Sequence, residues 1–215
     1  MIVTPAIDQP ISCFGEEDGI LSATTSGGNS GFQFVWDTNP PTNNATLSGV
    51  GTGTYTVDVT DNLGCTATNS ITIENPPLLE LALNANPTSC SNTLDGEVQA
   101  IVNGGTGGYI YTWDNNLADH DTHTGLLPGE YCVTVEDANG CQVNDCITVG
   151  SPPELIIESI TFQEVDCNGN NTGSATVTAS GGTGNYDYLW SDSLAQISAT
   201  AVFLPDGTYT VLITG

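Results

Sequence analysis

The side chains best able to do covalent chemistry in this sequence are seven cysteines: Cys13, Cys65, Cys90, Cys132, Cys141, Cys146 and Cys167. Two further clusters could hold ions. His120 and His123, flanked by Asp119 and Asp121 in ADHDTH, offer donors suited to a transition metal. Glu16, Glu17 and Asp18 in GEEDG offer the oxygen ligands that calcium prefers. Each cluster also has a plainer reading. ADHDTH stands in a loop with no counterpart elsewhere in the chain, as a solvated loop would, and consecutive acids make an ordinary turn. Asp61 and Asp137 open the turns DNLGC and DANGC, where an aspartate bonds its own backbone. No Ser–His–Asp arrangement, carboxylate pair or metal cluster recurs along the chain, so an enzyme is not expected.

Charge removes whole classes of function. The 215 residues contain no Lys or Arg against 25 Asp plus Glu, a net charge of −25. Such a surface repels nucleic acid and anionic membranes, whose binding depends on basic groups. Phosphate-cradling lysines, Schiff-base lysines, arginine clamps and Lys–Asn isopeptide crosslinks are all impossible. No segment reaches the ~18 apolar residues of a membrane span. MIVTPAIDQP lacks the basic start and apolar middle of a signal peptide, so export signals are expected outside this sequence.

The positions of these residues repeat. Cys13, Cys90 and Cys167 are 77 apart, as are Trp36, Trp113 and Trp190, and the glycine pairs beginning at Gly27, Gly104 and Gly181. Tyr55, Tyr131 and Tyr209 slip from that period, which places short insertions or deletions in the loop after each tryptophan. Proline pairs in ENPPLLEL and GSPPELII separate three units, 1–75, 76–152 and 153–215. The third is truncated: Gly215 stands four residues short of where the cysteine of its DxxGC turn would fall.

Each unit reads as β. Tyr55, Val57 and Val59 alternate with Thr56, Asp58 and Thr60, and Phe32, Phe34 and Trp36 set the same pattern for Tyr109, Tyr111 and Trp113 and for Tyr186, Tyr188 and Trp190. The expected fold is all-β: tandem immunoglobulin-like β-sandwich repeats of about 77 residues forming a rod, with about seven strands each and the tryptophan on a central strand. An up-and-down barrel is the alternative.

Taken in order, the motifs resemble those of the SprB repeat: a cysteine, an acidic or Asn-rich loop ending in glycine, SGG or NGGTGG, aromatic-x-aromatic-x-Trp, LPG or LPDG, YTV, DxxGC, and a strand into PP. The resemblance spans the chain as two nearly complete units and one truncated one. It implies a large surface protein of Bacteroidetes, related to a gliding-motility adhesin and exported by type IX secretion. Two features depart from the pattern: Cys132 and Cys146 occur only in the second unit, and CNGNNTG lacks the carboxylates of CFGEEDG.

Cysteines in a β-array of exported character argue for disulfides over metal binding or catalysis. The expected pairs are Cys13 with Cys65 and Cys90 with Cys141, each tying an opening strand to the start of a last strand. Cys132 and Cys146, on the outward face of adjacent strands and symmetric about Asn139, make a cross-strand pair, and Cys167 is left for a partner past Gly215. The functional expectation is a structural stalk segment of a large secreted cell-surface adhesin, in gliding motility or surface attachment. The alternative is an array of polysaccharide-binding modules. Repeated core residues and variable loops favour the stalk, and all three Trp and seven Tyr fall at inward positions, leaving no sugar platform. Expected partners are other repeats of the same chain, with polysaccharide or surfaces engaged through other regions; nucleic acid and membrane insertion are excluded. Calcium is the one candidate cofactor. Because 25 carboxylates face no basic side chain, salt should relieve repulsion over the ~8–10 Å screening length. The melting temperature is therefore predicted to rise with NaCl in calorimetry; an unchanged value would remove electrostatic strain from the account.

Overall fold

Alternation along β5 (Gly53–Thr60) sets the pattern for the molecule: Val57 and Val59 are fully buried, Tyr55 is half-buried, and Thr54 and Asp58 face solvent. Its partner β3 (Gln33–Trp36) places Trp36 opposite Val57 and Phe34 opposite Val59, aromatic against β-branched on one face. The computed structural model describes residues 1–166 and 171–215, and its described residues form seventeen strands and no helix.

The first six strands make two antiparallel sheets. One has the order β1-β2-β4, from Ile2–Gln9, Gly19–Ser26 and Thr46–Val50; the other has the order β3-β5-β6, ending with Thr66–Ile73. Val3, Leu21, Ala23, Leu47 and Val50 from the first face Trp36, Val57, Val59 and Ile73 from the second around one core. The next six strands repeat the arrangement. β7 (Glu80–Asn86), β8 (Gly96–Asn103) and β10 (Thr122–Leu126) form one sheet; β9 (Ile110–Trp113), β11 (Gly129–Glu136) and β12 (Gln142–Val149) form the other. The last five follow suit, with β13 (Ile156–Gln163), β14 (Gly173–Ser180) and β16 (Thr200–Leu204) in one sheet and β15 (Asp187–Trp190) paired with β17 (Val211–Thr214) in the other.

These are open sheets, so the barrel alternative fails, and the strand order is that of an immunoglobulin-like sandwich. Two expectations about strands change. Each complete set has six strands, because the chain from 37 to 45 contributes only the bridge Trp36–Thr42 where a seventh would run. The tryptophan strand lies at a sheet edge rather than its centre. The loop that follows covers the indole and satisfies it: Trp36, Trp113 and Trp190 donate Nε1–H to the carbonyls of Asn44, His120 and Ser198 at 2.8–2.9 Å. Length variation is therefore confined to a loop that needs only one carbonyl in place. Tyr55, Tyr131 and Tyr209 each donate a hydroxyl to the carbonyl four residues earlier, the tyrosine corner of this architecture.

The chain forms two compact units. Met1–Leu83, Ala100–Asp121 and Cys132–Cys146 make the first; Asn84–Gln99, Thr122–Tyr131 and Ile147–Gly215 make the second. In the first, Ala100, Trp113, Val133 and Val135 are buried beside the complete first core; in the second, Val98, Leu126, Tyr131 and Val149 are buried, as are Val177, Trp190, Ala201 and Leu204.

Among the described residues, Phe203 is one of two non-glycine residues at positive φ in the second unit, with Ala195. Gly49 and Gly125 take φ of +72° at the end of β4 and β10, and the third repeat puts the exposed Phe203 there at +55°. A side chain in that region costs about 1–2 kcal/mol. Phe203→Gly is predicted to stabilise the second unit by about 1 kcal/mol in chemical denaturation; a loss of stability would show that Phe203 contributes packing that outweighs the strain.

Candidate functional site

The two DxxGC turns are built around their aspartates. Asp61 Oδ1 accepts the backbone N–H groups of Leu63 and Cys65, each at 2.9 Å, and Asp137 Oδ1 accepts those of Asn139 and Cys141 at the same distance. These are the self-bonded turn carboxylates that the sequence suggests. The second oxygen does something the turn motif does not announce. Asp61 Oδ2 takes the N–H of Asn29 at 3.0 Å and its side-chain amide at 3.2 Å, and Asp137 Oδ2 takes the N–H of Thr106 at 2.8 Å. Each carboxylate thus ties the last turn of its sandwich to the loop beyond the second strand, and presents the following cysteine in a set direction.

Asp61 and Asp137 are only 5% and 3% exposed, and the chain has no Lys or Arg to neutralise them. Hydrogen bonds to the charged form do that work. The Asn29 N–H, then the Cys65 N–H, hold the Asp61 carboxyl down at about 2. At Asp137 desolvation is the largest single effect and pushes upward, but the N–H groups of Thr106, Cys141, Asn139 and Gly140 together bring the carboxyl below its usual range.

The opening loops before β2 and β8 are a second matched pair. Asp18 Oδ1 accepts the Ser12 N–H at 3.0 Å, and Asp95 Oδ1 accepts the Ser89 N–H at 3.0 Å. Glu16 N–H bonds the Cys13 carbonyl, and Thr93 N–H bonds the Cys90 carbonyl. Hydrogen bonds from Ser12 and Ser89 lower the carboxyls of Asp18 and Asp95. The calcium expectation for Glu16, Glu17 and Asp18 gains no support from this geometry. One Asp18 oxygen already accepts a backbone N–H, and among the described residues no three His, Cys, Asp or Glu side chains gather to hold a metal. His120 and His123 likewise form no such group with Asp119 and Asp121: Asp119 accepts the Tyr111 N–H at 2.7 Å, and the His120 carbonyl caps Trp113.

In the first compact unit an opening loop meets a DxxGC turn. Cys13 is bonded to Cys141, with Cα atoms 5.7 Å apart across a sequence separation of 128. Asn139 Nδ2, within the turn, donates to the Ser12 carbonyl at 3.0 Å. The proline linker seats itself beside them: Gly105 N–H bonds the Pro77 carbonyl at 3.0 Å, and a Cβ on Gly104 would lie 1.8 Å from the Leu78 carbonyl oxygen, so only glycine fits there. The second unit has the same seat, with Gly182 N–H on the Pro153 carbonyl at 2.8 Å and Gly181 equally closed by Glu154.

The expected pairs Cys13–Cys65 and Cys90–Cys141 are therefore replaced by Cys13–Cys141, with Cys65 and Cys90 free and exposed. Strand direction is the reason. Cys65 precedes the first residue of β6, while Ile73 at the far end of that strand packs beside Gly19, next to the opening loop. Eight residues span about 25 Å, far beyond the ~7 Å between Cα atoms that a disulfide allows. Cys132 and Cys146 are bonded across β11 and β12, Cα atoms 4.0 Å apart, the pair their parity indicated. Cys167 lies outside the described residues. By loop entropy, closing 128 residues stabilises the fold by about 5 kcal/mol. Recurrence of both cysteine positions marks them as partners without saying which turn cysteine meets Cys13, and the bridging roles of Asn29 and Asn139 had no distinctive signal.

The repeated geometry has a counterpart in sequence comparison. The family model of the SprB repeat matches residues 7–41, 82–118 and 159–195, together more than half of the chain. The chain belongs to the SprB repeat family. The three SprB matches begin in or near an opening strand and run past the tryptophan, and SprB repeats belong to surface adhesins. No curated protein matches the sequence. Among solved structures, the N-terminal eight immunoglobulin domains of Down Syndrome Cell Adhesion Molecule are 15% identical with a TM-score of 0.41, covering 86% of this chain and 28% of that one. A tetra-tandem repeat from the extending region of a large adhesion protein is 16% identical with a TM-score of 0.25, covering 99% of this chain and 65% of that one. The SprB chain thus spans well under two thirds of the first and just under two thirds of the second, and its fold assignment rests on strand order.

The Asp61 carboxyl has a lower pKa in the folded state than the ~3.9 of a free aspartate, so the stability it contributes is full above about pH 4 and fades as pH falls toward 2. Asp61→Asn is predicted to lower the melting temperature at neutral pH, and the gap from the parent protein should narrow on acidification from pH 4 to 2. A gap independent of pH would assign the loss to packing rather than charge.

Proposed function

We propose that the chain is a stalk segment of a large secreted cell-surface adhesin, made of the SprB-type repeats 1–75, 76–152 and 153–215, structural rather than catalytic, and serving surface attachment or gliding motility. The observation that carries this reading is the bond from Cys13 in the first repeat to Cys141 in the second. A ligand-binding module has no need of a covalent link to its neighbour. A tether under tension gains from one, because pull entering at the N-terminal side crosses the S–S bond at Cys13 and leaves at Cys141, sparing the residues between. The seating of Pro77 on Gly105 and of Pro153 on Gly182 supports the same reading, since a linker bonded at its carbonyls transmits load directly. Disulfides fit an extracellular setting. The three tryptophans are buried and all seven tyrosines at least half-buried, which disfavours a sugar-stacking face.

Stretching single molecules by their ends tests the proposal. The loop of 128 residues would hide on the order of 400 Å of chain, at ~3.4 Å per residue, when the bond is closed. The reduced protein should therefore extend further than the oxidised one by about that amount. Equal extension in both states would remove the mechanical role.

A further inference from the structure

We infer that Cys90 and Cys65 are two halves of the same inter-repeat disulfide already closed between Cys13 and Cys141: Cys90 accepts the turn cysteine of a following repeat, and Cys65 bonds the opening-loop cysteine of a preceding one. A free cysteine alone would not justify a site. Here the equivalent residues are bonded in the same molecule, and the hydrogen bonds that set each cysteine's own loop or turn recur, while Leu63 stands where Asn139 bonds Ser12 at the closed junction. The loop holding Cys90 has the Ser89–Asp95 and Cys90–Thr93 hydrogen bonds that match Ser12–Asp18 and Cys13–Glu16 around Cys13. The turn holding Cys65 has the Asp61 bonds that match those of Asp137 around Cys141.

The place where the partner would arrive is also formed. At the closed junction a cleft is lined by Cys13, Pro77, Leu79, Gly105, Asp137 and Cys141. In the second unit a cleft of about 270 Å³ is lined by Cys90, Pro153, Leu155, Gly182 and Gly215. Gly215 stands there in the register position of Asp137, since Tyr209 corresponds to Tyr131. A DxxGC turn opening at 215 would carry its sulfur toward Cys90 as Asp137 carries Cys141 toward Cys13. Cys65 and Cys90 are each exposed and open to exchange. Closing the bond joins the two sulfurs, and the two thiol hydrogens with their electrons pass to a disulfide oxidant such as oxidised glutathione, which is reduced to two thiols. This crosslinking holds whether or not the protein acts as a tether.

The test extends the chain. Gly215→Asp followed by a copy of residues 138–149, with Ser at the position copied from Cys146, supplies the turn and the last strand. Both this protein and the parent are refolded in oxidised and reduced glutathione, labelled with maleimide and digested without reduction, using a protease that cleaves at acidic or aromatic residues. The parent should show Cys13–Cys141 and Cys132–Cys146 closed, with Cys65 and Cys90 labelled. In the extended protein Cys90 should lose its label and appear joined to the new turn cysteine, while Cys65 keeps its label. A version with Ser in place of that new cysteine should restore labelling of Cys90. Cys90 labelled, or joined to Cys65, in extended protein that has closed Cys13–Cys141 would overturn the inference. Failure of Cys13–Cys141 to form in the parent would overturn it as well, by removing the bond on which the equivalence rests.

Discussion

A carboxylate removed from water in a chain without lysine or arginine has to find its hydrogen bonds on backbone N–H groups and neutral side chains. That constraint shapes this protein at its most repeated points. Asp61 and Asp137 each draw N–H groups from their own turn and from a neighbouring loop, and the cost of burying the charge is offset by four or three such bonds. The same solution appears more openly at Asp18 and Asp95, where serine N–H groups take the place a basic side chain would have in other proteins. Charge is thereby converted into loop geometry. Loops of this kind hold shape without a packed interior of their own, and so can present a cysteine reproducibly.

Junction chemistry follows from those loops. Ion pairs and lysine-derived crosslinks are closed to this composition, which leaves hydrogen bonds, close backbone packing and disulfides as means of joining one sandwich to the next. The first unit uses all three: Asn139 on Ser12, Pro77 and Leu78 against Gly105 and Gly104, and Cys13 on Cys141. The glycine pair is an uncompromising element, because a side chain at Gly104 would collide with backbone rather than with a movable side chain. Cys132–Cys146 differs in kind. It fastens two adjacent strands of one sheet, and no counterpart to it exists in the other repeats.

Much of this was legible from residue order. Spacing of Cys, Trp and Gly–Gly marked the repeat, period-two alternation marked strands such as β5, and the position of each tryptophan marked the core, because side-chain periodicity and burial are local properties that a strand writes into its own sequence. Even Cys132–Cys146 could be read locally, since parity about a turn decides which residues of a hairpin face each other. The inward placement of the aromatic residues and the slip in the loop after each tryptophan belong to the same class.

The partner of Cys13 was not of that class. Cys65 and Cys141 occupy identical local settings, each at the end of a DxxGC turn, and nothing in either setting says which one Cys13 will meet. Only the antiparallel path of the strands decides it, by carrying Cys65 a full strand length away from the opening loop of its own sandwich while bringing Cys141 to that loop from the next. The edge position of the tryptophan strand and the second oxygen of each turn aspartate were settled in the same way. Sequence by itself determined the repeat, the strands and the residues that fill the core; tertiary structure decided which ends of those strands meet, because proximity between chain segments depends on direction and distance that residue types do not encode.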